Sequence, residues 1–169
     1  MADFDPIFKK MIVDEGGYVL HEVKGDTGGL TYAGIAQNYH PTWQGWRLIK
    51  NGDRGSLELS RLVREFYVKE FWDAVRGDDL GQDIANVIFN FAVNASPRIA
   101  VKLAQSCVDC VPDGVLGPKS IAALNAVDFG EFNANYALAK IARYAAICNK
   151  NRTQSKFLLG WVNRTLGTL

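Results

Sequence analysis

The sequence has little of what disulfide-stabilised, metal-binding or membrane proteins require. It contains three cysteines and two histidines in 169 residues, too few for a disulfide framework or a histidine-rich metal site. Cys107 and Cys110 have the spacing of metal ligands but supply only half of a zinc site. The longest apolar runs are far shorter than the roughly 18 residues that cross a bilayer. We therefore expect no metal centre and no stable membrane insertion.

The N-terminus lacks the pattern of a secretory leader. Residues 1–6 carry two aspartates where a leader would carry positive charge, and no uninterrupted apolar stretch follows them. We expect cytoplasmic synthesis without a signal peptide. Action outside the cytoplasm would then need another route of release.

Acidic side chains are scarce in the second half of the chain. Residues 1–85 carry 10 Lys and Arg against 14 Asp and Glu, whereas residues 86–169 carry 9 against 4. From Phe132 onward there are six basic side chains and no acid. This pattern favours an anionic polymer as partner, with a solvated helix face as the alternative. No phosphate loop, zinc finger or RNA-binding motif is present, so we do not expect a nucleic acid partner.

Apolar residues recur with helical spacing over most of the chain. A first helix carries its apolar stripe from Phe4 to Ile12, with Asp3 or Asp5 as cap, and ends near Gly16. The segment around Phe89 is apolar nearly all round and predicts a central buried helix. The later predicted helices are Gln44–Lys50, Glu58–Trp72, Asp83–Asn94, Pro97–Val108, Pro118–Val127, Phe132–Lys150 and Gln154–Leu166.

The only convincing non-helical patch lies near the N-terminus. Six glycines between Glu15 and Ile35 are interleaved with residues that favour strands, which predicts a short hairpin-like sheet. The predicted fold class is therefore mainly α, with a small β-hairpin or sheet near the N-terminus, packed as one globular unit.

Glu15 is the leading candidate for chemistry. It follows the first predicted helix and directly precedes Gly16, Gly17 and Tyr18. Apolar helix residues and the Tyr18 ring would half-shield the carboxyl, and partial desolvation would raise its pKa, as a general acid acting on a glycosidic oxygen requires. The paired glycines would leave room for a bulky substrate. The alternative is a helix end with solvated acids.

A second catalytic group is expected on the hairpin. Asp26 lies eleven residues after Glu15, and Thr31 lies sixteen residues after Glu15. A hairpin could place either side chain opposite Glu15. Glycosidases need an acid on one side of the scissile bond and a carboxylate or a positioned water on the other. The sequence leaves open which residue serves, and whether the course is inverting or retaining. Glu22 is a less favoured substitute.

Several motifs together resemble one family. Glu15–Tyr18 and Gly28–Ile35 resemble the N-terminal signature of glycoside hydrolase family 108, lysozyme-like N-acetylmuramidases found among phage endolysins and prophage genes. Asn90–Asn94, Asp113–Pro118 and Phe157–Arg164 resemble the peptidoglycan-binding region of the same family. The resemblance covers essentially the whole chain.

The resemblance implies a lysozyme-like helical fold and a hydrolase that degrades cell-wall peptidoglycan. Residues 1–85 would form the catalytic part and residues 86–169 the helical peptidoglycan-binding part. Glu15 would be the general acid that cleaves the β-1,4 bond between N-acetylmuramic acid and N-acetylglucosamine. No cofactor is expected, because two carboxyl-type groups and water suffice. The protein would be a monomer that acts on periplasmic or cell-wall peptidoglycan after release.

Aromatic and amide side chains are candidates for sugar binding, since apolar sugar faces lie well on aromatic rings. Asn90 occupies a position where the family resemblance leads us to expect Asp, so it could contact the substrate but not titrate. Asn94 either bonds an N-acetyl group or caps a helix. Trp72 and Trp161 are expected in the core. The candidate substrate-binding residues are Tyr18, Tyr32, Trp43, Asn90 and Asn94.

Two other functions remain open from the sequence. A wall-binding protein without catalysis, assisting secretion or assembly, would bind peptidoglycan and release nothing. A lytic transglycosylase would use the same Glu15 but form anhydro ends by intramolecular attack. The mass of the released fragments separates these functions from hydrolysis.

Overall fold

The computed structural model describes residues 1–22 and 28–167. They form a mainly helical protein with a small antiparallel sheet near the N-terminus, which confirms the predicted fold class. The α-helices are α1 (Phe4–Asp14), α2 (Gly45–Lys50), α3 (Leu57–Tyr67), α4 (Gln82–Ala95), α5 (Pro97–Ser106), α6 (Pro118–Ala126), α7 (Phe129–Lys150) and α8 (Leu158–Leu166). The strands are β1 (Leu20–Glu22), β2 (Leu30–Tyr32) and β3 (Ile35–Ala36).

The chain divides into two compact units. The first is residues 3–72, and the second is residues 73–169 together with residues 1–2. The first unit contains α1, the sheet, α2 and α3, and the second contains α4 to α8. The functional division between residues 85 and 86 stays a prediction.

Helix α1 forms as the sequence predicted. The Asp5 amide donates to the Asp3 side chain at 3.0 Å, so Asp3 is the N-cap. One stripe of the helix is buried, and each such apolar side chain stabilises the fold by roughly 1.5–3 kcal/mol. That stripe comprises Phe4, Ile7, Phe8, Met11 and Ile12.

The sheet has the order β1-β2-β3 and is antiparallel throughout. Tyr32 pairs with Leu20 and with Ile35, whereas Thr31 pairs with His21 on the other face. The hairpin-like sheet was predicted, but its third strand β3 was not. With two residues, strand β3 is too short for an alternating pattern to reveal it.

Helix α3 is continued by a π-helical segment, Val68–Trp72. The sequence predicted a single helix over Glu58–Trp72, so the extent is close but the hydrogen-bond pattern changes after Tyr67. Trp72 is 2% exposed, which confirms its place in the core.

Helix α4 is buried on most of its surface, as expected for a central helix. Helices α5 and α7 both pack against it. Its buried residues are Ile84, Ala85, Val87, Ile88, Phe89, Phe91 and Ala92.

A buried glutamine holds the loop between α5 and α6. The Gln105 side-chain amide donates to Asp113 Oδ1 at 2.8 Å and to the Val115 carbonyl at 3.0 Å. Its oxygen accepts from the Gly114 amide at 2.9 Å. These bonds satisfy a side chain that is 1% exposed. The Asp113–Pro118 motif is therefore accounted for by structure, as a turn that starts α6.

The C-terminal segment is less regular than predicted. Instead of one helix over Gln154–Leu166, a 3₁₀ segment (Arg152–Phe157) precedes α8. Trp161 lies on α8, half-buried, with its ring centroid 5.2 Å from that of Tyr144. The prediction that Trp161 fills the core is wrong, because its side chain is only partly covered and lines a surface pocket.

All three cysteines are free thiols: Cys107 is half-buried, and Cys110 and Cys148 are buried. Residues 1–22 and 28–167 contain no group of three or more side chains that could hold a metal ion. Within the same ranges, no helix is both apolar enough and long enough to cross a membrane.

Candidate active site

Glu15 stands where α1 ends. Its amide donates to the Met11 carbonyl at 2.9 Å, so Glu15 is the C-cap of the helix. The Gly16 and Gly17 amides then bond back to Val13 and Ile12, with φ of +88° and +80°. This is a Schellman ending, whose left-handed residue favours glycine. The glycine pair therefore terminates the helix directly after the acid.

The space beside Glu15 is open. A β-carbon on Gly16 or on Gly17 would meet no atom within 4 Å. Glu15 itself is exposed, so the prediction that apolar helix residues and Tyr18 half-shield it is wrong, because it follows the last turn of α1 on the solvent side. The open surroundings agree with the expectation that the glycines leave room for a bulky substrate.

Gly34 brings the hairpin against Glu15. The β2–β3 turn consists of Ala33 and Gly34, with φ of +48° and +78°, as in a type I′ turn. A β-carbon on Gly34 would lie 3.2 Å from Glu15 Oε2 and would collide with the Tyr67 hydroxyl oxygen. Only glycine allows the carboxylate and the hydroxyl to approach this turn together.

Tyr67, the last residue of α3, is hydrogen-bonded to the β2–β3 turn. Its hydroxyl donates to the Ala33 carbonyl at 2.9 Å, and its side chain is 2% exposed. Burial raises the pKa of Tyr67, and the negative charge of Glu15 raises it further. The hydrogen bond to Ala33 therefore holds the Tyr67 hydroxyl at the turn, next to the Glu15 carboxylate.

Sequence reasoning missed both Gly34 and Tyr67 as site residues. Gly34 belongs to the Gly28–Ile35 motif, so its motif was found but its contact with Glu15 was not. Tyr67 had no distinguishing signal, because an aromatic residue on the apolar stripe of a helix is indistinguishable from ordinary core.

Of the candidates for the second catalytic group, Thr31 and Glu22 lie on strands of the sheet. Asp26 lies outside the described residues. Thr31 is half-buried on β2, and its hydroxyl donates to the Gly29 carbonyl at 3.3 Å. Glu22 is exposed and pairs with Leu30, so it lies on the opposite face of the sheet from Thr31. Glu22 and Thr31 therefore point to opposite faces of the sheet and cannot both face the same side of it.

The predicted aromatic sugar contacts differ in exposure. Tyr18 is 39% exposed, and its ring centroid is 6.3 Å from that of Tyr32. Tyr32 is 0% exposed and donates its hydroxyl to the Arg54 carbonyl at 3.3 Å. The structure contradicts the expectation that Tyr32 stacks on a sugar, because the sheet register turns its ring into the core. Tyr18 keeps a free ring surface.

Trp43 is half-buried and lines a pocket of about 390 Å³. Its indole N–H donates to the Leu62 carbonyl at 3.3 Å, which fixes the ring. The pocket also contains His40, Phe66 and Glu70. Trp43 is therefore accessible to a ligand from this side.

Asn90 and Asn94 lie on the last turns of α4, in the second unit. The Asn94 side-chain amide donates to the Asn90 carbonyl at 2.8 Å, and its oxygen accepts from Arg164. Asn94 therefore already has partners within the protein, although it is exposed. Asn90 is half-buried.

A carboxylate at a helix end beside an open glycine pair, in a mainly helical fold with a small sheet, is an arrangement that suits a lysozyme-like glycoside hydrolase. Residues 8–95, half of the chain, match the family model Glycosyl hydrolase 108, so the chain belongs to the glycosyl hydrolase 108 family. Residues 93–166 match a model described as Predicted Peptidoglycan domain. Together the two matches indicate a peptidoglycan hydrolase.

One solved structure supports the fold over the whole chain. It is described as the structure of Brucella abortus SagA, with 25% sequence identity and a TM-score of 0.73. The match covers 98% of this chain and 90% of the other. No curated protein matches the sequence significantly.

Proposed function

We propose that the protein is an N-acetylmuramidase that uses Glu15 as its general acid. It would cleave the β-1,4 bond between N-acetylmuramic acid and N-acetylglucosamine. The observation that carries the proposal is the position of Glu15, exposed at the end of α1, beside open glycines and against the Gly34 turn. A polymer can reach this carboxyl group, and Glu15 lies inside the region that matches the hydrolase family.

The reaction follows from one acid and one water. Protonated Glu15 gives its proton to the bridging oxygen as the bond from that oxygen to the anomeric carbon breaks. Water attacks the anomeric carbon and passes its proton to the Asp26 carboxylate. If Thr31 holds that water instead, the proton passes to bulk water. The leaving sugar departs with a new hydroxyl group. This chemistry requires no metal or organic cofactor.

Tyr67 holds the turn against which Glu15 lies. Its hydroxyl donates to the Ala33 carbonyl, which fixes the β2–β3 turn in place. The buried ring places this hydroxyl at Gly34, where the Glu15 carboxylate also lies. We assign to Tyr67 a positioning role rather than a catalytic one.

We further propose substrate contacts and a cellular setting. Tyr18 and Trp43 would stack on sugar rings, and Asn90 and Asn94 would contact the wall polymer. The protein would be a monomeric prophage endolysin, made in the cytoplasm and active on the cell wall after release.

The bond specificity is tested on purified peptidoglycan. The digest is reduced with borohydride, and the sugar at each new end is identified by mass spectrometry. We expect N-acetylmuramitol and fragments that have gained one water per cleavage. N-acetylglucosaminitol would assign a different glycosidase, and anhydro ends would assign a lytic transglycosylase. Pelleting with the wall without any release would assign a binding protein.

A further inference from the structure

Two adjoining pockets lie on the surface of the second unit. One, of about 190 Å³, is lined by residues of α4, α7 and α8, including Tyr144 and Trp161. The other, of about 560 Å³, lies between α5 and α7. Arg143 and Ile147 line both pockets, so the two lie next to each other on α7 and are here together called the α7 groove.

Four basic side chains line the α7 groove: Lys102, Arg143, Lys150 and Arg164. No aspartate or glutamate is among its lining residues. Within residues 1–22 and 28–167, Arg143 forms no ion pair with a carboxylate. The groove is therefore complementary to a negatively charged ligand.

Apolar side chains line the groove together with the cations. Ile99, Leu103, Ala146 and Ile147 belong to the larger pocket. In the smaller pocket, Asn94 accepts a hydrogen bond from Arg164, which orients that guanidinium. An occupant that matches this lining combines anionic groups with apolar side chains.

We propose that the α7 groove binds the stem peptide of peptidoglycan through its carboxylates. This proposal rests on the proposed function, because it takes peptidoglycan as the substrate. The N-acetylated sugars are neutral, whereas the stem peptide carries free carboxylates and short side chains such as that of alanine. Guanidinium groups pair with carboxylates through charge-assisted hydrogen bonds. The smaller pocket lies below the roughly 300 Å³ of a typical ligand site, which suits a single peptide terminus.

Binding is measured with the full-length Glu15→Gln variant, so that hydrolysis plays no part. The probes are a synthetic stem tetrapeptide with free carboxylates, its fully amidated analogue, a chitotetraose glycan, inorganic phosphate and a single-stranded oligonucleotide. We expect the free tetrapeptide to bind and to shift the NMR cross-peaks of the protein's backbone amides on α7. The amidated analogue should bind at least about 10-fold more weakly, as expected for a lost charge-assisted hydrogen bond.

The matched variants are Arg143→Gln in the groove and Arg152→Gln outside it. Both remove one positive charge from the same basic region, so they separate a specific pairing from general attraction. We expect about a 10-fold or greater loss of tetrapeptide affinity for Arg143→Gln and little change for Arg152→Gln. If Arg143→Gln does not fold, the double variant Lys102→Gln/Lys150→Gln in the groove takes its place, again compared with Arg152→Gln and with the same expected loss.

The proposal is overturned by equal affinity for the free and amidated peptides, or by equal losses in the Arg143 and Arg152 variants. Preferential binding of phosphate, the oligonucleotide or chitotetraose would also overturn it. Because the peptide assay involves no cleavage, it can fail while the muramidase assignment stands, and it can succeed in a protein that does not hydrolyse peptidoglycan.

Discussion

The Glu15 carboxylate and the Tyr67 hydroxyl both lie against the same glycine, Gly34, at the β2–β3 turn. A β-carbon there would touch Glu15 Oε2 and overlap the Tyr67 oxygen. The hydroxyl is held in place by its bond to the Ala33 carbonyl. A helix end, a sheet turn and the last residue of α3 thus converge at the acid that we propose to be catalytic.

The first prediction concerns Gly34 itself. Gly34→Ala adds a methyl group that collides with Tyr67. It also places an alanine at a backbone φ of +78°, which L residues rarely adopt. We expect a loss of about 1–3 kcal/mol in the free energy of unfolding, as is typical of backbone strain and overpacking. Hydrolysis of peptidoglycan should fall further than stability accounts for, because the collision displaces Glu15. Denaturant unfolding and a turbidity assay measure the two effects.

Gly52→Ala is the matched control for Gly34→Ala. Gly52 has a φ of +92°, but a β-carbon there meets no atom within 4 Å. Gly52→Ala should therefore lower stability only through the strain of a positive φ at alanine, and it should leave the specific activity unchanged. If the two variants lose the same activity, Gly34 has no special role at the site.

The second prediction separates the positioning role of Tyr67 from its packing. Tyr67→Phe leaves the Ala33 carbonyl without its partner and should cost about 1–3 kcal/mol of stability. It also removes the polar group that shares the Gly34 turn with Glu15. We expect the rate of peptidoglycan hydrolysis to fall further than the loss of stability explains, because the turn is no longer held in place against the carboxylate.

Tyr136→Phe provides the comparison, because Tyr136 is fully buried in the second unit and its hydroxyl donates to the Ala100 carbonyl at 3.1 Å. It should lower stability by a similar amount and leave the hydrolysis rate of the folded protein unchanged. Equal hydrolysis rates for both variants would refute the role assigned to Tyr67.

The third prediction follows from a buried lysine in α7. Lys140 is 3% exposed, lies 4.9 Å from the centroid of the Tyr136 ring, and burial lowers its pKa to about 8. The interaction with Cys107 raises the pKa of Lys140 and so opposes part of the effect of burial. In the unfolded chain the lysine titrates near 10.5, so the folded state loses this proton first as pH rises. Stability should therefore increase between pH 8 and 10.5 through this group.

Lys140→Met tests that expectation. The variant should be more stable than the wild type at pH 7, and its advantage should shrink as pH rises through 8 towards 10.5. Lys119→Met, at an exposed position on α6, should show no such trend. Unfolding curves collected from pH 6 to 10.5 give the comparison, and a pH-independent difference for Lys140→Met would contradict it.

Local signals predicted most of the fold. Asp3 caps α1 as expected, and the glycine pair ends it, because capping and left-handed conformations have strong residue preferences. The burial of α4 followed from its continuous apolar surface. What local patterns could not supply was the irregular structure after Tyr67 and before α8, where helical spacing continues but the hydrogen bonds change.

The site was predictable only in part. The position of Glu15 at a helix end followed from neighbouring residues, whereas Tyr67 reaches Ala33 across 34 positions of sequence. Tyr32 was misassigned because the sheet register, which a sequence does not display, decides which face of β2 is buried. Trp161 was misassigned for a similar reason, since α8 could have been either a core or a surface helix.

The most direct test of the account compares Glu15→Gln with Asp14→Asn, its exposed neighbour on α1. Both variants remove one carboxylate from the same helix end, and both should unfold at the same denaturant concentration as the wild type. The measured quantity is the rate at which water-added fragments are released from purified peptidoglycan. We predict a loss of about 10²–10⁴-fold for Glu15→Gln and little change for Asp14→Asn. A Glu15→Gln protein that is folded and releases these fragments at the wild-type rate would contradict the account.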